Sequence, residues 1–491
     1  MSNIQEPQYS HLSKEAPASQ TPFVLALDEV VPTVSVSRPV LNGDWSIDPR
    51  NPKTWSLRCR IYHTAIPAIY CFVATFNTSV YAPGIYQLAD QFQTSETLAI
   101  LGLSIYLFGL AFGPMIGGPI SENYGRKPVY LYTLPVFILA TMGAGLSRNV
   151  AAFVVCRFLA GLAGASCLAV SAGTVADVWD MALGGGLAAV LVVQMGFSGA
   201  SIAPLVGGYI IQTRNDWRWT MWAVLIMTAP LLAAVVCSKE TSKKQILKHE
   251  TKPEGLPDRQ RLQLRLILLR PMMMLFMEPI ASITVYNAFV YGIFFAFFHG
   301  YTYVFGRVYN FTSAEVGLTF IGIFIGVTLA VPTFIVVNKT LYAKAKAKAP
   351  DGRPPPEERL YSSILGSIGI SVSLFWFAWT ARADVHWIVP TAAGALFGWG
   401  IVSLFLGMVI YLIETYQANH GASANAALTF LRFSVGASFP LFVIQMYDRL
   451  GISWAISLIG FISVVLLPIP WVLYRWGPFL RSKSTFGPSK I

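Results

Sequence analysis

The sequence predicts an all-α polytopic membrane protein: twelve transmembrane helices in two pseudo-symmetric six-helix bundles. Three observations carry this. Of the 491 residues, 54% are hydrophobic and only 12% are charged, against about a quarter charged in an average soluble domain. The apolar residues gather into twelve runs, each long enough to cross roughly 30 Å of hydrocarbon. A single long basic interruption at 239–278 then divides those runs six and six. An ordinary soluble enzyme and a disordered chain are both excluded by this composition.

Taken in order, residues 1–55 are polar and rich in Pro and Ser, and read as a disordered cytoplasmic tail. They show no signal-peptide pattern, so the first apolar run is expected to serve as an uncleaved signal anchor. The N-terminal bundle, 56–238, holds runs at 61–85, 97–120, 129–147, 150–176, 185–211 and 218–238. The segment 239–278 carries Lys239, Lys243, Lys244, Lys248, Lys252, Arg259, Arg261, Arg265 and Arg270, and reads as a cytoplasmic linker. The C-terminal bundle, 279–475, holds runs at 279–306, 314–338, 361–381, 386–412, 422–446 and 451–474, and a cytoplasmic tail at 476–491 follows. Segment 339–360, with Lys344, Lys346, Lys348 and Pro354-Pro355-Pro356, reads as a flexible loop. It stands in the second half where Gly117–Pro128 stands in the first, as a badly eroded copy of that turn.

The net charge of +11 does not point to nucleic acid. Most Lys and Arg fall between apolar runs, and chiefly on the side that holds both termini; that bias places both termini in the cytoplasm. The opposite loops hold only Arg148, Arg214, Arg218, Arg307, Arg382 and Arg449. The five cysteines show no paired spacing and read as packing or membrane-facing residues, so neither a metal nor a disulfide is expected. Asn310-Phe311-Thr312, between runs 7 and 8, is a glycosylation candidate on the outer side; an unused sequon is the alternative.

Gly117-Gly118-Pro119-Ile120-Ser121-Glu122-Asn123-Tyr124-Gly125-Arg126-Lys127-Pro128 is a charged, Gly/Pro-punctuated turn between two uncharged runs. It must therefore lie at a membrane face, where its charges are hydrated. Gly125 can take the positive φ that reverses the chain, and Gly118 removes bulk. The turn resembles the loop between the second and third helices of the major facilitator superfamily. Other stretches resemble that superfamily's twelve-span drug:proton antiporter branch in its fungal form, which includes polyamine, multidrug and secondary-metabolite exporters. They are Asp48-Pro49-Arg50-Asn51-Pro52-Lys53-Thr54-Trp55, Arg157 with Gly161 and Gly164, Trp217-Arg218-Trp219-Thr220, and Glu278-Pro279 through Tyr291-Gly292. The resemblance covers about residues 45–485. It departs in helix 5, where Ala203 replaces the first Gly of a G-P-x-x-G-G motif; Pro204 keeps the bend, and Gly207 and Gly208 keep close helix contact.

The resemblance implies a major facilitator fold and a cytoplasmic gate. Within that gate Glu122 docks on the N-terminus of helix 11 near Gly421-Ala422-Ser423, Arg126 pairs with Asp177, and Lys127 holds the topology. It also implies proton coupling at Arg157 and a cavity lined by helices 1, 4, 7 and 10. The alternative for Arg126 and Lys127 is that they only anchor the membrane orientation.

Ionisable residues at membrane depth are costly and mark function by default. Arg157, Arg432 and His299 are the candidates, with Arg157 and His299 assigned to proton coupling. His299 stands where relatives commonly place a carboxylate. The central portions of the spans hold no Asp or Glu, so an acidic or neutral compound suits them better than a polycation. Asn77, Tyr81, Gln194, Tyr286, Asn287, Tyr291 and Arg432 are the candidate substrate contacts, each weighed against ordinary interhelical bonding. No Walker loop, zinc-protease helix or nucleophile elbow is present, so no enzyme activity is expected. The expected function is export of a small organic compound such as a secondary metabolite, toxin or drug, by alternating access. A proton gradient would drive it without a cofactor, in a plasma-membrane monomer whose partners are the bilayer, the substrate and protons. A nutrient importer of the same fold and a non-transporting sensor are the alternatives.

Overall fold

A computed structural model of the chain describes residues 45–180, 186–248, 280–349 and 354–483; the side chains of 47, 280–282, 416–423 and 481–483 lie outside that description. The chain divides into two units, Met1–Asp48 and Pro49–Ile491. Of the first, the described part is one 3-10 turn, Trp45–Ile47, closed by Asp48 N donating to the Trp45 carbonyl. The second is built of helices joined by short connections, with no strand among its described residues. Among the described residues, eleven helical segments are long and apolar enough to cross a membrane, and a pair bent by 46° makes a twelfth when taken as one span.

The first half runs α1 (Leu57–Ser79), α2 (Glu96–Tyr124), α3 (Arg126–Gly145), α4 (Val150–Val178), α5 (Gly186–Arg214) and α6 (Arg218–Cys237). The second runs α7 (Ile280–Arg307), α8 (Ser313–Val337), α9 (Tyr361–Thr380), α10 (Ile388–Thr415), α11 (Ala424–Leu441, continued as Val443–Leu450) and α12 (Ile452–Leu466). Local chemistry sets their ends. Ser95 and Asn149 accept from the Leu98 and Ala152 amides and cap α2 and α4. Thr312 and Glu315 form a reciprocal capping box on α8. Past α1, Pro83 and Gly84 turn the chain through a 3-10 element at Ala82–Gly84 before it resumes as Ile85–Gln91.

Small residues bring helices into near-backbone contact, the packing a bilayer favours. A Cβ on Gly161 of α4 would stand 2.2 Å from the Tyr106 carbonyl of α2. One on Gly326 of α8 would stand 1.8 Å from the Ala395 carbonyl of α10. The halves meet along α5 against α8 and α2 against α11.

Two expectations are corrected. The loop expected from 339 onward is helical as far as Lys348, first as a π-turn at Asn338–Tyr342 and then as Ala343–Lys348. Alternating Ala and Lys are strong helix formers, and their charges suit an exposed helix end better than a loop. The break expected between helices 10 and 11 is also absent: the backbone stays helical from Ile388 to Ser438. The linker expected at 239–278 is described only as far as Lys248, where Lys243–Lys248 form a short helix; its remainder lies outside the described residues.

Candidate gate and central binding site

The turn at 117–128 joins α2 to α3 with one residue. Gly125 has φ of +102°, a conformation that strains any side chain, and a Cβ there would strike the Glu240 carboxylate at 2.5 Å. That contact explains the turn. Glu240, just beyond α6, accepts from the backbone amides of Arg126 (2.8 Å) and Lys127 (3.0 Å), the first two donors of α3. It also accepts from its own neighbours, Thr241 (3.0 Å) and Ser242 (2.8 Å). A helix start leaves such amides orphaned, and the partial positive charge there favours an anion. Lys127 Nζ answers from the other side by donating to the Val236 carbonyl, 3.1 Å away, near the end of α6.

Arg126 reaches Asp177 on α4 at 3.1 Å and donates to Ser121 Oγ at 2.7 Å. Gly173 makes room, since a Cβ there would stand 2.5 Å from the guanidinium carbon. The pairing of Arg126 with Asp177 is thus in place. Glu122 is exposed and has no polar partner among the described residues, and a Cβ on Gly118 would meet nothing within 4 Å. The backbone is helical through 421–423, where the docking of Glu122 is expected. The side chains of 421–423 lie outside the described residues.

The second half carries a fuller copy of this network than its sequence suggests. Arg359, before α9, pairs with Glu414 at the end of α10 at 2.8 Å. It also donates to Asn338 at 3.2 Å and lies over the Tyr342 ring at 3.6 Å. Arg359–Glu414 therefore repeats Arg126–Asp177, and the copy expected to be eroded retains its ion pair.

At the opposite face the halves are locked together. A Cβ on Gly208 of α5 would lie 2.3 Å from the Ser313 carbonyl of α8, and one on Gly317 of α8 would lie 2.8 Å from the Pro204 carbonyl. Gln212 accepts from the Ala314 amide at 3.2 Å. Gly207 faces the other way, where a Cβ would meet the Val80 carbonyl at 1.9 Å. Pro204 lies inside an α5 that remains helical from Gly186 to Arg214. Asn310 is exposed beside this face with φ of +56°, but the hydroxyl of its sequon residue, Thr312, is engaged in capping α8.

Between the faces, the first half spends its polar groups on itself. Arg157, fully buried on α4, donates to the carbonyls of Gly102 (3.1 Å), Asn77 (2.8 Å) and Thr78 (3.1 Å) and to Asn77 Oδ1 (3.0 Å). The Asn77 and Thr78 carbonyls belong to the last turn of α1, the negative end of its dipole, so the arginine acts as a cap. The rings of Tyr106 and Tyr81 flank it at 4.2 and 5.0 Å. Asn77 further donates to Thr141 (3.1 Å), and Tyr81 to the Ala99 carbonyl (3.2 Å). Gln194 donates to Ser198 at 3.2 Å but leaves its Oε1 unpaired.

The second half is different. Tyr286 is buried with an unpaired hydroxyl, and Asn287 donates to the Ile283 carbonyl and to the Met408 sulfur. His299 is 4% exposed, and neither ring nitrogen has a hydrogen-bond partner. Arg432 lies over Phe405 (4.5 Å), Tyr291 (4.7 Å) and Phe433 (4.9 Å), with its Nε unpaired. Sequence reasoning reached Arg432, Tyr291 and His299 but not Phe197, Phe405, Glu240, Arg359 or Glu414. An aromatic or a terminal carboxylate in an apolar chain gives no local signal of what it will face.

Two helical halves with matched ion pairs at one face, a tight seam at the other and unpaired polar groups between them fit the two-repeat architecture of membrane transporters. The Major Facilitator Superfamily profile matches residues 68–440, and the chain belongs to that family. It is similar to "Polyamine transporter 4" of Saccharomyces cerevisiae, at 35% identity over 91% of this chain and 73% of that protein. It is likewise similar to "MFS-type transporter traF" of Penicillium crustosum, at 35% over 92% and 94%. "Efflux pump radE" of Floropilus chiversii is 33% identical over 91% and 86%. A solved D-xylose-proton symporter shares the fold, with a TM-score of 0.63 at 16% identity over 84% of this chain and 97% of that one. The chain is a transporter and not an enzyme.

Proposed function

We propose that this chain is a proton-coupled secondary active exporter of a small organic compound, acidic or neutral rather than polycationic, working by alternating access as a monomer. The carrying observation is the asymmetry of the seam: α5 and α8 are in backbone contact at one face, while Glu122 and Gly118 stand free at the other. Alternating access requires a seam that closes on one side while it is open on the other. The positive-charge bias supports placing the 117–128 face and both termini in the cytoplasm, and we assign the exporter to the plasma membrane. Asn310 then lies outside, where glycosylation would compete with the cap that Thr312 makes on α8. In the closed-inside state Glu122 engages the second half, and His299, with two unpaired nitrogens, carries the proton. Arg157 contributes to coupling by holding the end of α1. Relatives named as efflux pumps support the outward direction.

Inside-out vesicles test this reading. An interior-acid gradient is expected to drive uptake of fluorescein, and Glu122→Ala is expected to insert normally and lose that uptake. A preference for cationic rhodamine sinks the substrate assignment, and undiminished transport by Glu122→Ala discards the gate.

A further inference from the structure

Arg157 and Arg432 are both buried in membrane-spanning helices, and their surroundings could hardly differ more. The donors of Arg157 are consumed by three backbone carbonyls and an amide oxygen. Arg432 has 7% of its surface open, a buried Nε without a partner, and neither an ion pair nor a hydrogen bond among the described residues. What it has instead is three ring faces, from Phe405, Tyr291 and Phe433. Ring quadrupoles offset part of the cost of a cation in low dielectric, but they use none of the five guanidinium N–H groups. A charge kept at membrane depth with its donors unspent is poised for an oxyanion.

The box around it is closed by the other half of the molecule. Phe197 of α5 places its ring 5.4 Å from Phe405, 6.0 Å from Tyr291 and 5.8 Å from Phe294, edge to face in each case. The rings that flank Arg432 on α7 and α10 are thus the rings that Phe197 covers. Any movement of the halves that slides Phe197 away uncovers both the cation and two flat apolar faces.

We propose that Arg432 is the anion-recognition residue of the transported compound. Its guanidinium takes a carboxylate, and Tyr291, Phe405 and Phe197 hold the planar apolar body attached to it. This inference rests on the exporter reading for its setting, but its test needs no proton gradient. Binding of 1-naphthoate and of its uncharged isostere 1-naphthamide is measured calorimetrically on purified, detergent-solubilised protein. The wild type is expected to prefer naphthoate. Arg432→Gln is expected to weaken naphthoate by about tenfold or more, the worth of one charge-assisted bond, and to leave naphthamide unchanged. Arg432→Lys, which keeps the charge without the fork, is expected to fall between. Unchanged naphthamide binding shows that Arg432→Gln is folded. Equal loss of both ligands, retention of naphthoate, or no naphthoate binding by the wild type overturns the proposal. A protein that binds naphthoate through Arg432 and fails to move it under a proton gradient refutes the exporter reading alone.

Discussion

Replacing Glu240 with Ala strikes the network at the 117–128 turn, away from the central binding site. The carboxylate accepts four amides at 2.8 to 3.0 Å, two of which begin α3. Loss of a helix cap costs about 1 kcal/mol, and bonds to an ionised acceptor are roughly twice as strong as neutral ones. Glu240 is half-buried, so water recovers part of the loss, and a net cost of about 2 kcal/mol is expected. At roughly 2–4 °C per kcal/mol for a unit the size of the first bundle, this lowers the melting temperature by about 4–8 °C. Glu240→Gln is expected to lose less, because Oε1 alone accepts three of the four amides. Thermal unfolding of the solubilised protein, followed by fluorescence, measures both variants. A melting temperature unchanged by Glu240→Ala would refute the claim that this carboxylate holds the turn.

Two further outcomes are expected. Gly208→Val drives a β-branched side chain into the Ser313 carbonyl, which a Cβ would approach to 2.3 Å; this wedges the α5–α8 seam. Transport should fall by an order of magnitude or more, while a cysteine at Gln212 becomes labelled from outside; a labelling rate equal to wild type would show that the seam is not the outer gate. His299→Gln removes the proposed proton carrier and retains polarity. Its efflux should continue down a concentration gradient but no longer respond to an imposed pH difference, and a response of wild-type size would move the proton site elsewhere.

Much of this was legible in the residue order because a bilayer restricts what a chain can do. Uncharged runs must become helices there, since backbone groups have no water to bond. The helix starts at Ser95, Asn149 and Thr312 follow from short-range capping. Arg126 and Asp177 were paired through a resemblance, and the structure places them 3.1 Å apart. By contrast, the charge of the stretch at 343–348 suggests a loop, whereas its Ala and Lys residues favour the helix it forms. The second-half ion pair of Arg359 with Glu414 was hidden because its partners are 55 residues apart and match no motif.

The sequence by itself determined the class, the number of spans and the residues whose charge lies at membrane depth, because hydropathy and burial cost are properties of each residue and its near neighbours. Only the tertiary structure decided what each charge means. Arg157 and Arg432 are the same side chain in similar apolar runs. One meets the carbonyls at the end of α1 and is fully bonded; the other meets ring faces and keeps its donors. That difference depends on which helices come together, and nothing within a few residues of either arginine encodes it.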